Sequence, residues 1–120
     1  MVKRILVVDD DDMVRQTTKD ILESAGYEVV TAINGKDALE KLKTEKVDLA
    51  LVDFNMPEMN GLEFCRAVKS STLDLKIAML TASGYTRERD AEITALGVLA
   101  YVRKPFTARE LLNWVKRLLG

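Results

Sequence analysis

The sequence predicts a single α/β domain in which strands alternate with helices five times. Short apolar runs alternate along the chain with longer stretches whose apolar residues recur at helical spacing. Several runs are apolar at every position, which is typical of strands covered on both faces. Because successive βα units close right-handed, we expect a parallel sheet with helices on both faces, formed by one domain over residues 1–120.

Five apolar runs are the predicted strands. The first, third and fourth are apolar throughout, whereas the second is very short and the fifth contains a tyrosine. The runs are Ile5–Val8, Val29–Val30, Leu49–Val52, Ile77–Leu80 and Leu99–Val102.

Helix-terminus signals occur between these strands. Asp11 or Asp12 is expected to cap the first helix, where negative charge is favoured, and Gly26 predicts its end. Thr107 and Glu110 have the spacing of a capping box at the start of the last helix. The other predicted helices start near Asn34–Gly35, after Gly61 and at Thr86, and the last of these runs to Leu96.

The last helix has the clearest amphipathic pattern. Trp114 lies beyond the edge of its apolar stripe, so it is either a rim residue that covers the core or a contact on an outer surface. The predicted stripe consists of Ala108, Leu111, Leu112, Val115, Leu118 and Leu119.

Composition excludes several classes of function. With 120 residues, 48% of them hydrophobic, the chain is long enough for one core. The 18 basic and 19 acidic side chains leave a formal net charge of -1, which gives no basic excess for binding nucleic acid. Since there is no histidine, imidazole catalysis and histidine-ligated zinc are excluded within this chain.

The sequence also predicts the cellular compartment. Cys65 is the single cysteine, so an internal disulfide is excluded, which fits a reducing compartment. The apolar run after Arg4 is too short for a signal peptide, and no run reaches the roughly 18 apolar residues of a membrane span. We therefore expect a soluble, cytoplasmic protein.

Polar side chains follow four of the predicted strands. Asp9 and Asp10 follow the first strand, Asp53 the third, Thr81 the fourth, and Lys104 lies shortly after the fifth. In an open parallel sheet, ligands bind beyond the carboxyl ends of the strands. Any one of these residues could be a solvated loop start, but their joint occurrence at one edge predicts a functional site.

The residue types at this edge favour phosphoryl chemistry. Clustered carboxylates repel one another unless a cation offsets their charge, and oxygen-only ligands favour Mg²⁺, with Mn²⁺ as a substitute. A carboxylate held between the metal and Lys104 is well placed as a nucleophile toward phosphorus, and Thr81 can donate to a phosphoryl oxygen. We therefore expect a Mg²⁺-dependent site that carries a phosphoryl group on an aspartate.

Four motifs occur in order over essentially the whole chain: Leu6–Asp10, Leu51–Gly61, Leu80–Ala82 and Tyr101–Phe106. Together they resemble the receiver domain of two-component response regulators, of the chemotaxis-regulator type. The resemblance implies a flavodoxin-like (βα)5 fold with strand order 2-1-3-4-5, which the apolar pattern alone does not determine.

The resemblance also implies individual roles at the site. Asp53 would be the phosphoacceptor, and Asp9, Asp10, Asp53 and the backbone carbonyl of Asn55 would bind Mg²⁺. Lys104 would contact the phosphoryl group. The donor would be a phosphohistidine on a partner histidine kinase or histidine phosphotransfer protein.

Further residues would switch the domain or tune the lifetime of the phosphoryl group. Thr81 and the adjacent Ala82 would bind the phosphoryl group, and Tyr101 would turn inward as Thr81 moves. This makes a bistable pair biased by one charged group.

Two expectations concern the neighbourhood of the phosphoryl group. Asn55 and Ser83 would flank it and tune its lifetime, and the Lys104–Pro105 peptide bond, ending at Pro105, would be cis.

The resemblance places the output surface on the fourth helix, the fifth strand and the last helix. Trp114 is a candidate contact there. The segment Val98–Ala100 is apolar where many DNA-binding relatives carry acidic residues that pair across a dimer. A hydrophobic partner contact is therefore favoured over that dimer.

The sequence leaves two alternative functions. A pseudo-receiver would bind partners without phosphorylation, but Asp53 and Lys104 are both present. A small Mg²⁺-dependent aspartyl phosphatase of the haloacid dehalogenase group would carry an Asp-x-Asp motif on the first strand and usually a cap domain. This chain has Asp53-x-Asn55 on the third strand and no spare length for a cap. We expect a phosphoacceptor switch rather than an enzyme. It would act on an output protein or a covalently linked output domain, and itself contact neither nucleic acid nor membrane.

Overall fold

A computed structural model shows the fold, and it describes residues 2–54, 56, 59–71, 75–81 and 94–120. The strands are β1 (Arg4–Val8), β2 (Glu28–Ala32), β3 (Leu49–Asp53), β4 (Lys76–Thr81) and β5 (Val98–Arg103). The helices within the described residues are α1 (Asp12–Ser24), α2 (Gly35–Leu42), α3 (Gly61–Ser70) and a C-terminal helix (Ala108–Leu119). The helix predicted from Thr86 lies outside the described residues as far as position 93.

The five strands form one parallel sheet in the order β2-β1-β3-β4-β5. This is the order that the resemblance implies, and it confirms the predicted α/β fold. Each predicted strand is present and extends slightly beyond the apolar run that predicted it.

Two apolar clusters cover the two faces of the sheet. Leu6 and Val8 of β1 belong to the cluster under α2 and α3, whereas Ile5 and Val7 belong to the cluster under α1 and the C-terminal helix. Successive side chains of a strand point to opposite faces, so a strand covered on both sides must be apolar at every position. The unbroken apolar runs are therefore explained by helices on both faces.

The helix termini have the capping side chains that satisfy free backbone groups. The sequence left open whether Asp11 or Asp12 caps α1, and the structure shows that Asp11 does. Its Oδ1 accepts from the amide N–H groups of Met13 (2.9 Å) and Val14 (3.1 Å). The capping box between Thr107 and Glu110 is present, as predicted.

The prediction was wrong for one residue of the apolar stripe. Ala108 is exposed, because it is the first residue of the C-terminal helix and follows the exposed Thr107 cap. Leu111 and Val115 are fully buried. Trp114 is half-buried and packs against the rim of the same cluster, with the Arg117 guanidinium 5.4 Å from the centre of its ring.

The described helices are short and amphipathic. None of them is long and apolar enough to cross a lipid bilayer.

Candidate functional site

Three carboxylates meet at the carboxyl edge of the sheet. One oxygen from each of Asp9, Asp10 and Asp53 lies within 4.8 Å of the others. Asp9 is fully buried, Asp53 is 7% exposed, and Asp10 is exposed. The cluster is therefore open to solvent on the Asp10 side.

The register of the sheet explains why these residues meet. Val8, the last residue of β1, pairs with Val52 of β3, so the residue after each lies at the same level. Those two residues are Asp9 and Asp53. The amide N–H of Asp9 also donates to the Ala32 carbonyl of β2 at 3.1 Å, which ties the site to the neighbouring strand.

Lys104 places a positive charge between the two buried carboxylates. Its Nζ lies 2.9 Å from Oδ2 of Asp9 and 3.5 Å from Oδ1 of Asp53, and its side chain is 17% exposed. Its backbone N–H donates to the Thr81 carbonyl at 2.8 Å, which ties the lysine to the end of β4. One ammonium offsets only part of the charge of three carboxylates, so the site can still accept a cation.

Asp9 is held at every polar atom. Its Oδ1 accepts from the N–H of Asp11 at 2.9 Å, and its Oδ2 accepts from Lys104. Its backbone carbonyl accepts from Nη1 of Arg15 at 2.8 Å. The Asp9 carboxylate is thus fixed before any ligand binds, which is the preorganisation that an ion site requires.

Thr81 and Tyr101 lie on neighbouring strands near this edge. Thr81 ends β4 and is buried, and Tyr101 of β5 is half-buried against the cluster under α2 and α3. In the sheet, Tyr101 pairs with Met79, two residues before Thr81. The Lys104–Pro105 peptide bond is cis, the isomer that the resemblance implies.

Three of the predicted site residues lie outside the described residues. They are Asn55, Ala82 and Ser83.

A largely apolar groove of about 420 Å³ runs beside Lys104. It is bounded by the first two turns of α1 and by the segment that follows β5. Met13, on the α1 side, is 78% exposed. The lining residues are Met13, Val14, Thr17, Thr18, Lys104, Pro105 and Phe106.

Comparison with known proteins identifies the family. The family model for the response regulator receiver domain matches residues 5–116, which include every described residue of the site. The chain belongs to this family. It therefore acts in phosphorelay signalling, in which receiver domains take a phosphoryl group from histidine kinases.

Related proteins of known sequence match this chain over part of their own length. The chain is 39% identical over 119 residues to the alkaline phosphatase synthesis transcriptional regulatory protein PhoP of Bacillus subtilis, covering 99% of the chain and 49% of that protein. It is 42% identical over 116 residues to the response regulator MprA of Mycobacterium ulcerans, covering 97% of the chain and 50% of that protein. The chain thus spans about half the length of these relatives.

Solved structures resemble the whole receiver domain. A CheY-like receiver domain protein from Methanospirillum hungatei has a TM-score of 0.92 at 36% identity, covering 99% of this chain and 94% of that one. The response regulator TrrA from Thermotoga maritima, solved in complex with Mg²⁺-BeF, has a TM-score of 0.84 at 38% identity, covering 98% of this chain and 100% of that one.

The acidic cluster of this receiver domain fits a divalent cation. Its three donors are carboxylate oxygens from two adjacent strands, and no imidazole or thiolate lies among them. Oxygen-only donors suit Mg²⁺ or Mn²⁺ rather than zinc or copper. Receiver domains bind Mg²⁺, and this donor set is compatible with it.

Sequence reasoning missed Arg15 at the receiver site. The side chain of Arg15 is only 16% exposed, and its guanidinium also pairs with Asp12. Arg15 donates a hydrogen bond to the backbone carbonyl of Asp9. Every residue has such a carbonyl, so this contact leaves no recognisable pattern in a single sequence.

Proposed function

We propose that Asp53 is the phosphoacceptor of this receiver domain. The observation that carries the proposal is the position of its carboxylate. Oδ1 lies 3.5 Å from the Lys104 ammonium, beside two further carboxylates that come from the adjacent strand. Asp53 therefore lies close both to a cation and to two further carboxylates that could share a metal ion.

Acceptance is a direct displacement at phosphorus. A carboxylate oxygen of Asp53 forms the new O–P bond while the P–N bond of a donor phosphohistidine breaks, and the electron pair of that bond stays on the imidazole. Lys104 would offset charge on the phosphoryl oxygens, and the hydroxyl of Thr81, which ends the neighbouring strand, would donate to one of them. Because the acceptor is consumed once per event, we infer a phosphoacceptor switch rather than an enzyme.

Asp9, Asp10 and Asp53 would hold the metal, with the Asn55 carbonyl as a fourth protein ligand. Bound Mg²⁺ supplies positive charge to the phosphoryl oxygens as the group transfers. Asp9 keeps one oxygen on Lys104 and one on the Asp11 amide, so its orientation is set by the protein. Asp10 is exposed, so its carboxylate would hold the metal on the side of the site that is open to solvent.

The partner that donates the phosphoryl group would be a protein that docks on the apolar groove. Met13 and Pro105 are exposed at either side of it, and Lys104 lies in its wall. A donor helix lying in this groove would bring its phosphohistidine to the Asp53 edge. We expect a histidine kinase or a histidine phosphotransfer protein in this position.

Output would use the surface that the resemblance implies, on β5, the C-terminal helix and the fourth helix, which is predicted from Thr86 to Leu96. Leu99 of β5 is 54% exposed, which fits a hydrophobic contact with an output protein or a linked output domain. We infer that residues 1–120 form a receiver domain. The signalling role and the single, buried Cys65 fit a cytoplasmic protein that itself contacts no nucleic acid or membrane.

Phosphorylation would reach this surface through Thr81 and Tyr101, with Lys104 as the link. We expect Lys104→Ala to accept a phosphoryl group but not to switch, because the ammonium that contacts Asp9 and Asp53, and that would contact the phosphoryl group, is lost. NMR of the Tyr101 ring before and after phosphorylation measures this. A wild-type change in the Tyr101 environment in Lys104→Ala would contradict the coupling.

Intact mass spectrometry tests the acceptor. Wild type and Asp53→Asn are incubated with acetyl phosphate, in Mg²⁺ or in EDTA. We expect one phosphoryl adduct that requires Mg²⁺ and is absent from Asp53→Asn. An equal adduct in Asp53→Asn would refute the acceptor, whereas no adduct in either protein would favour the pseudo-receiver.

A further inference from the structure

Gly61 lies where a side chain cannot fit. A Cβ built on Gly61 would lie 2.9 Å from the backbone carbonyl oxygen of Asp53, and 3.0 Å and 3.1 Å from Sδ and Cε of Met79. Contacts under about 3.0 Å are closer than packed carbon and oxygen atoms approach in protein interiors. Adding a methyl group here must therefore displace one of these neighbours.

The restriction comes from space and not from backbone conformation. Positive φ values among the described glycines occur at Gly26, Gly97 and Gly120, whereas Gly61 begins a regular helix. An alanine could adopt the backbone of Gly61 without strain, and alanine is the better helix former. A decrease in the labelling rate of Gly61→Ala would therefore be caused by the overlap with Asp53 or with Met79.

A hydrogen bond joins the same two segments. The N–H of Gly61 donates to the Phe54 carbonyl at 3.0 Å, and the N–H of Phe54 donates to the Leu80 carbonyl at 2.9 Å. The backbone at the end of β3 is thus fixed between β4 and the first turn of α3. The Asp53 side chain starts from this fixed backbone.

We propose that Gly61 is a positioning residue for the Asp53 carboxylate: the missing Cβ lets α3 pack against the Asp53 carbonyl and so sets the distance from Asp53 to Lys104. The proposal rests on the proposed role of Asp53 as phosphoacceptor. A displaced carbonyl moves the peptide plane that carries Asp53, and misplacing a reacting group by about 1 Å can cost about 100-fold in rate.

The chain offers a matched control. A Cβ on Gly35 would approach Sδ of Met59 at 2.7 Å and its Cγ at 2.8 Å, so the overlap is as severe. There the neighbour is a flexible side chain that can turn away, whereas at Gly61 it is backbone. Gly35→Ala therefore tests overlap without displacement of the acceptor.

A second variant separates the two contacts of Gly61. Met79→Val removes the sulfur and the terminal methyl that the new Cβ would meet, and valine suits a buried strand. In the double variant Gly61→Ala with Met79→Val, the overlap with the Asp53 carbonyl remains, whereas the overlap with the methionine sulfur and methyl is removed. If the carbonyl is the cause, the double variant stays as slow as Gly61→Ala.

The experiment measures the initial rate of labelling by acetyl phosphate, per folded molecule, and the Mg²⁺ affinity from amide NMR shifts. We expect Gly61→Ala to label at least about tenfold more slowly than wild type and to weaken Mg²⁺ binding less, since Asp9 and Asp10 follow another strand. Gly35→Ala and Met79→Val should label within about twofold of wild type. If Gly61→Ala folds poorly, the comparison is repeated in trimethylamine N-oxide, which favours the folded state.

Two results would overturn the proposal. One is labelling of folded Gly61→Ala at the wild-type rate, and the other is recovery of the Met79→Val rate in the double variant. If wild type itself is not labelled, that result favours the pseudo-receiver and counts against the proposed function instead. The NMR titration then decides the positioning role, because unchanged Asp53 amide shifts in Gly61→Ala would overturn it.

Discussion

Lys104 determines the charge balance of the site. Its ammonium forms ion pairs with both Asp9 and Asp53. The Asp9 side chain is only 1% exposed. Removing one partner of a largely buried pair leaves the other charge without compensation, which costs more than the pair itself contributes. A divalent cation can supply the compensation instead.

We therefore expect Lys104→Ala to lower the free energy of unfolding by about 3 kcal/mol in the absence of Mg²⁺. Saturating Mg²⁺ should raise the free energy of unfolding of this variant more than it raises that of wild type. Urea unfolding with and without Mg²⁺ measures both effects. Lys43→Ala is the control, because Lys43 pairs with Glu40 in solvent, with both side chains at least two-thirds exposed. If Mg²⁺ raised the free energy of unfolding equally in Lys104→Ala and in wild type, this account of the charge balance would be contradicted.

Cys65 illustrates a buried group that the site does not use. It is fully buried in α3, and burial raises the pKa of its thiol from 9.0 to about 12. Below pH 9 the thiol keeps its proton in both the folded and the unfolded chain, so stability is unaffected. Above that pH the unfolded chain loses the proton while the folded chain retains it, and the free energy of unfolding falls.

The expected decrease due to Cys65 is up to about 1.4 kcal/mol per pH unit above pH 9, continuing toward about pH 12. Urea unfolding of wild type and Cys65→Ala over this alkaline range isolates the contribution, because the other titrating groups cancel in the difference. The free energy of unfolding of Cys65→Ala should fall less steeply with rising pH than that of wild type. Parallel curves would show that the thiol titrates equally in both states.

At the scale of the elements, the helix termini connect local sequence to the site. Asp11 caps α1 with its side chain, and its backbone N–H binds the Asp9 carboxylate. The cap therefore fixes the turn that carries two of the metal donors. Asp12, one residue later, is 91% exposed at its side chain and pairs with Arg15.

Asp11→Ala should lower the free energy of unfolding by about 1 kcal/mol, because two amide donors of the first turn lose their acceptor. Asp12→Ala removes the same charge from the same turn but only an exposed pair, so it should cost less than about 0.5 kcal/mol. Chemical denaturation of the two variants tests the difference. A larger loss in Asp12→Ala would mean that charge near the helix terminus, rather than the cap, stabilises α1.

Local signals predicted the elements better than their packing. Apolar runs identified each strand, and the pairs Thr107 with Glu110 and Asn34 with Gly35 marked helix starts, because these signals act over a few residues. The exposure of Ala108 was missed, since helical spacing does not show where the sheet beneath the helix ends.

At the scale of the whole molecule, the site exists because strands distant in sequence end at one edge of the sheet. Strand-end position was enough to predict that Asp9, Asp53, Thr81 and Lys104 converge. Strand-end position could not predict the strand register that puts Asp9 and Asp53 side by side. It also could not predict that Lys104 contacts both carboxylates. Those depend on strand order, which came from the resemblance, and on side-chain geometry that one sequence does not contain.

The position of the phosphoryl group tests the central claim most directly. The receiver domain is phosphorylated with acetyl phosphate and Mg²⁺, treated with borohydride to convert the acyl phosphate to an alcohol, digested, and sequenced by fragmentation mass spectrometry. We expect homoserine in place of aspartate at Asp53 and unmodified aspartate at Asp9 and Asp10. Homoserine at Asp9 or Asp10, with Asp53 intact, would contradict the account.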